Sequence, residues 1–255
     1  MRRSKWTSAL QRDESGLRFW RRVVVVIVIS IGLIGAATIT SAETGEQPQV
    51  FPLDESPYGN TYGEWSARWW QWLTAIPAAT NPNFDTNGAN FAVGQVGPVW
   101  FLAGTFSSAP PKITRSCTIP HGKALLFTPL TQLDGAGAVD CDPTAPGVPC
   151  DLNTLRALAA DFADNPATLK ASIDGSPLRH LSDHRVQSPV FLITYPAKAI
   201  FGLPAGTTTP NLADGYWILL KPLSPGKHTI HFEAVANAGS GLSFAVDVTY
   251  NLTVQ

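Results

Sequence analysis

Residues 61–77 read TYGEWSARWWQWLTAIP, and four of the chain's eight tryptophans lie in that stretch. Trp65, Trp69, Trp72, Leu73 and Ile76 recur at i, i+4, i+7, i+8 and i+11, which is one face of an α-helix. Thr61 and Glu64 have the Ser/Thr-x-x-Glu spacing of a capping box, which predicts the helix start. Pro77 disfavours helical geometry at Ile76 and predicts the end. A helix face this broad and aromatic can be buried only on a wide apolar surface. The strands that follow are expected to supply one.

The charge of the chain is divided between its ends. Residues 1–22 carry seven Arg/Lys and two acids, a net of +5, whereas residues 43–255 carry eleven Arg/Lys and seventeen acids, a net of −6. The intervening residues are uncharged and include the apolar run Val23–Ile39, followed by Thr40-Ser41-Ala42. A basic segment, an apolar run and small residues make a secretory signal peptide over residues 1–42. The run is also near the ~20 residues that span a bilayer, so an uncleaved signal anchor is the alternative. Either way the positive-inside rule puts residues 43–255 outside the cytoplasm. Membrane contact is then confined to residues 23–39, if they are retained. An acidic domain excludes electrostatic capture of nucleic acid.

An oxidising compartment permits a disulfide between Cys141 and Cys150, which bracket the short loop DPTAPGVP. Cys117 is left over and is expected to be a buried, inert thiol. No C-x-x-C occurs, and no glycine-rich stretch has the context of a phosphate loop, so no cofactor is expected.

Residues 43–56 are polar and Pro-containing and read as a linker, which leaves residues 57–255 as one domain. Charged residues make up only 15% of the chain, against about 25% in an ordinary soluble domain. The runs 98–105, 124–130, 190–195 and 216–220 are apolar on both faces, which is expected of strands covered on both sides. Asp151–Ala163 is a second helix candidate, with Asp151 as its N-cap. Asp174-Gly175 predicts a hairpin turn, and Pro225-Gly226 suits a type II turn between strands. From Leu242 to Val254 apolar and polar residues alternate without a break, which is a half-buried antiparallel strand. Its length predicts a bulge or break. The sum is a mainly β chain. It is expected to be an antiparallel β-sandwich, jelly-roll or immunoglobulin-like, with two helices packed on it and an N-terminal export helix before it.

The words YGEWSARWWQWLTAIP, VGQVGPVWFLAG, CTIPHGKALLFTPL, SPVFLITYPA and DGYWILLKPLSPGKHTIHF through VTYNLTV resemble a family of exported bacterial proteins of unassigned function. The resemblance spans about residues 57–254. It implies an exported β-rich domain and assigns no catalytic residue. In that family a cysteine often precedes the G-Q-x-G-P word. Phe91 stands there in this chain, so the resemblance implies that Cys117 has lost a partner.

Trp70 lies off the apolar helix face and is the best candidate for an exposed aromatic, with Trp100 as a second. Exposed indoles beside Glu64 and Arg68 would suit a glycan or an envelope partner. The structural alternative is that the tryptophans are core, and that Glu64 caps the helix and pairs with Arg68 at i+4. Glu64 as a general acid, with a distant carboxylate such as Asp174 or Asp214, would instead make a hydrolase of envelope polymers. His228 and His231, three apart in a strand, face opposite sides. His180 and His184 lie in a Pro-bounded loop, so no metal site is expected. The leading expectation is a non-enzymatic exported binding module; a purely structural envelope protein is the third reading.

Overall fold

A computed structural model describes residues 49–105, 112–135, 152–237 and 243–255. The expected export segment and the cysteine pair Cys141/Cys150 lie outside them. Among the described residues no helix is long and apolar enough to cross a membrane. The elements in order are α1 (Tyr62–Thr74), β1 (Val99–Phe101), β2 (Ile113–Ile119), β3 (Ala124–Gly135), α2 (Leu152–Asp164), β4 (Pro166–Ile173), β5 (Ser176–Pro177), β6 (Arg185–Gln187), β7 (Phe191–Thr194), β8 (Thr208–Leu220), β9 (Gly226–Asn237) and β10 (Ser243–Val254).

The strands form two sheets. Sheet A runs β1-β3-β8-β6, with β7 also on β8, and sheet B runs β2-β10-β9-β4-β5. The facing sides share one core: Leu125, Phe127 and Ile218 from sheet A meet Ile230, Phe232 and Val248 from sheet B. The other side of sheet A is also covered. There Phe101, Leu126, Trp217 and Leu219 form a second core with the tryptophans of α1. Three layers result, helix on sheet on sheet. α2 packs on β3 and β8 and reaches the inter-sheet core through Phe162 and Ala163.

The sheets are mixed rather than antiparallel. β1 runs parallel to β3, and β2 runs parallel to β10. Both parallel strands are at sheet edges, and the chain passes from β1 in sheet A to β2 in sheet B and back to β3 in sheet A. Such crossings free a strand from the antiparallel direction that a tight hairpin imposes. Residues 221–225 lie between two strands, as expected, and join β8 of sheet A to β9 of sheet B.

Other expectations hold at the residue level. Asp174 and Gly175 both have positive φ, 51° and 78°, as a two-residue hairpin turn requires between β4 and β5. β10 buries Val246, Val248, Tyr250, Leu252 and Val254 on its inner side. It has no bulge: it pairs with β9 in unbroken register from Ser243 to Val254. The stretch expected as linker docks in part. Phe51 N–H donates to the Leu219 carbonyl at 2.8 Å, and Val50 bridges to Leu220.

Candidate functional site

The start of α1 is the capping box that its sequence specifies. Glu64 Oε2 accepts from the Thr61 N–H at 2.7 Å, and the Glu64 N–H donates to Thr61 Oγ1 at 3.3 Å. The bonds from Thr61 lower the pKa of the Glu64 carboxyl. A general acid needs the opposite shift. Arg68 does not close on Glu64; its Nε donates to Asn60 Oδ1 at 3.0 Å, and its guanidinium lies 5.7 Å from the Trp65 ring centre. Asn81, distant from the helix pattern, caps the other end by donating to the carbonyls of Leu73 and Ile76 at 2.7 and 3.0 Å.

α1 is buried more completely than one apolar face requires. Only Glu64, Arg68 and Gln71 are exposed along it. Trp70, expected to be open, is 3% exposed. Its ring meets Trp69 edge-on at 5.1 Å and its Nε1 donates to Thr131 Oγ1 at 3.3 Å. Trp69 and Thr131 of β3 thus cover Trp70 on the side of the helix where sequence periodicity places a wet flank. Trp100 is half-buried against the inter-sheet core, with its ring 5.1 Å from Phe91. Trp70 and Trp100 therefore belong to cores on opposite sides of sheet A and line no common pocket. Of the four expected binding residues, Trp70 lines only a pocket of about 20 Å³ beside Thr128 and Thr131, and Arg68 lines a much larger cavity.

That cavity is a groove of about 580 Å³ between α1 and residues 93–98. Trp65, Trp72, Ile76, Val93 and Phe101 wall it, and Arg68 and Gln71 stand at its rim. Val96, 80% exposed, forms its outer lip. The loop wall is fixed from within. Trp72 Nε1 donates to the Val93 carbonyl at 2.9 Å, and the Gln95 amide bonds the Phe101 N–H and carbonyl at 2.9 and 2.8 Å. Gly94 has φ +69°, and a Cβ there would lie 3.3 Å from the Trp72 ring, so glycine lets the loop close on the indole. Arg68 places a cation over an apolar trough. The trough can take an apolar side chain, and the guanidinium an adjoining carboxylate or carbonyl.

The other candidate groups are engaged elsewhere. Asp214 is gripped by Arg185 through two bonds of 3.1 Å, which helps hold the Arg185 pKa above its usual value. Asp174 accepts from the Thr229 N–H at 2.7 Å and meets His228 Nδ1 at 2.8 Å. Cys117 is free and buried, and desolvation pushes its thiol up to about 12. It shares its core cluster with Phe91.

Two features escape any reading of single segments. Arg115 is fully buried, and its guanidinium donates to the carbonyls of Asp85, Ala103 and Gly104 and to the Tyr250 hydroxyl at 2.6–2.9 Å. It pins the 81–90 loop over β2, where Gly88 sits so close that a Cβ would lie 2.8 Å from the Ser116 carbonyl. Burial alone would raise the Asp85 carboxyl. The N–H groups of Asn87, Asn90 and Gly88, with Arg115 nearby, outweigh it and hold that pKa low. The second feature is on the outer side of sheet B. There His231, Glu233 and Asp247 bring three metal-ligating atoms within 4.8 Å of one another, the one such set among the described residues. The spacing H-x-E was visible in the sequence, but its partner on the next strand was not.

Comparison with known protein families, with characterised proteins and with solved structures found no match.

Proposed function

We propose that the protein is an exported, non-enzymatic binding module of the β-sandwich class. Its groove along α1 takes an apolar side chain of an envelope protein, with an acidic group beside that side chain meeting Arg68. The observation that carries this reading is the shape and lining of the 580 Å³ groove: aromatic and aliphatic walls, one cation at the rim, and an exposed apolar lip at Val96. Leu192, 59% exposed, adds apolar surface nearby, since its carbonyl takes the Gln71 amide at 2.9 Å. A preformed apolar pocket with a few polar groups around it is how protein anchors are received.

A protein anchor fits better than a glycan. Sugar recognition by stacking needs an indole face open to solvent, and Trp65, Trp69, Trp70 and Trp72 are each at most 7% exposed. Their indole N–H groups are also spent within the domain, on Pro57, Leu102, Thr131 and Val93. A hydrolase is supported less, because Glu64 is held ionised on its cap.

A photo-reactive residue at position 96, activated in cells that export the protein, tests the reading. The expected result is one discrete protein adduct that disappears with Arg68→Glu. Absence of any adduct, or glycan-array binding that survives Arg68→Glu and Val96→Asp, would overturn it.

A further inference from the structure

The outer side of sheet B presents a different chemistry from the groove. His231 and Glu233 are two apart on β9 and so point the same way. Asp247 lies directly opposite Glu233 on β10. The three side chains are partly sheltered, with 33%, 25% and 20% of their surface exposed. His231 Nε2 stands 3.0 Å from Asp247 Oδ1. We infer that His231 Nε2, Glu233 and Asp247 form a binding site for one divalent transition metal, zinc in the first instance.

The chemistry of the set supports a metal of this class. Imidazole with carboxylates suits zinc or manganese, whereas calcium requires six to eight oxygen ligands. Ligand bonds of about 2.0–2.1 Å put tetrahedral donor atoms about 3.3–3.5 Å apart. The nitrogen and the Asp247 oxygen already stand near that separation, and rotation of the Glu233 carboxylate closes the rest. Three protein donors leave a fourth position for water or a ligand group. The neutral ring must offer the Nε2 lone pair, so its proton resides on Nδ1 in the bound state. The platform is rigid, because β9 and β10 pair without a register shift through the site.

Two ammonium groups hold the carboxylates meanwhile. Lys170 Nζ is 2.6 Å from Glu233, and Lys112 Nζ is 3.5 Å from Asp247. Their side chains are 70% and 85% exposed, so each can swing into water at small cost. This arrangement makes a prediction that a mere surface ion-pair cluster does not. Metal and lysine compete for the same oxygens, so removing a lysine must strengthen metal binding.

The test is titration of the full chain with zinc by calorimetry, repeated with cobalt followed by visible absorption. One equivalent is expected. His231→Ala and Asp247→Asn should each weaken binding at least tenfold, and Lys170→Met should tighten it several-fold. Circular dichroism melts identify variants that stay folded; Glu233→Gln, which keeps the shape of the side chain, replaces any that do not. Absence of stoichiometric binding, affinity unchanged by the ligand variants, or weaker binding in Lys170→Met would each overturn the assignment.

Discussion

β8 and β10 are nearly equal in length, thirteen and twelve residues, and both are central in their sheets, yet they are built of different residues. From Asn211 to Leu220 β8 is buried without interruption, whereas β10 alternates between buried and partly exposed positions. The cause lies in the neighbouring layers. β8 has sheet B on one side and the indoles of α1 on the other, so neither set of its side chains reaches water. β10 has sheet A on one side only, and Asp247, Thr249 and Asn251 stay on the wet side. The difference teaches that α1 decides the composition of sheet A.

The largest effect expected from this contrast is at Trp69, which is 2% exposed and touches Trp70, Trp72 and Trp217. Trp69→Ala should cost about 3–5 kcal/mol, read by chemical denaturation. A loss under 1 kcal/mol would break the claim that sheet A is sealed by the helix.

Arg115 sharpens the comparison, because it is a charge on the dry side of sheet B. Arg115→Met takes the guanidinium donor from the Asp85 and Gly104 carbonyls and from the Tyr250 hydroxyl, while the Ala103 carbonyl keeps the Tyr250 O–H, and should cost about 2–4 kcal/mol. Faster proteolysis within residues 81–90 should accompany it.

Asp85 comes next, with a dependence on pH. Its folded pKa is lowered, so its contribution is present above the unfolded value of about 3.9 and is lost as pH falls through the folded value. The Tm difference between wild type and Asp85→Asn should be full at pH 7 and shrink below about pH 4. A difference independent of pH would show that the carboxylate charge is irrelevant.

The smallest effect belongs to the wet side of sheet B. Thr249→Ala should change stability by no more than about 0.5 kcal/mol in the same denaturation assay.

The layered fold was legible where periodicity is long and local. The capping box at Thr61 and Glu64, the alternation of β10 and the turn at Asp174-Gly175 were all written in adjacent residues. The apolar runs of β3 and β8 announced two-sided cover before the covering layers were known. Strand direction was not legible, because the parallel pairings of β1 and β2 depend on crossings between sheets. Trp70 misled because helical periodicity reports one face, and Trp69 and Thr131 of β3 cover Trp70 outside it. At the candidate sites, Arg68 was legible but its partner Asn60 was not. The His231, Glu233 and Asp247 set needed the register of β9 against β10, which no single stretch contains.

The central claim is that the indoles of α1 are sealed against sheet A. Fluorine NMR of the chain labelled with 5-fluorotryptophan tests it, with each resonance assigned by a Trp→Phe variant. The resonances of Trp65, Trp69, Trp70, Trp72 and Trp217 should not shift when H₂O is replaced by D₂O, as befits rings at most 7% exposed. A full solvent isotope shift at Trp69, Trp70 and Trp72 would show the helix standing in water and would contradict the account.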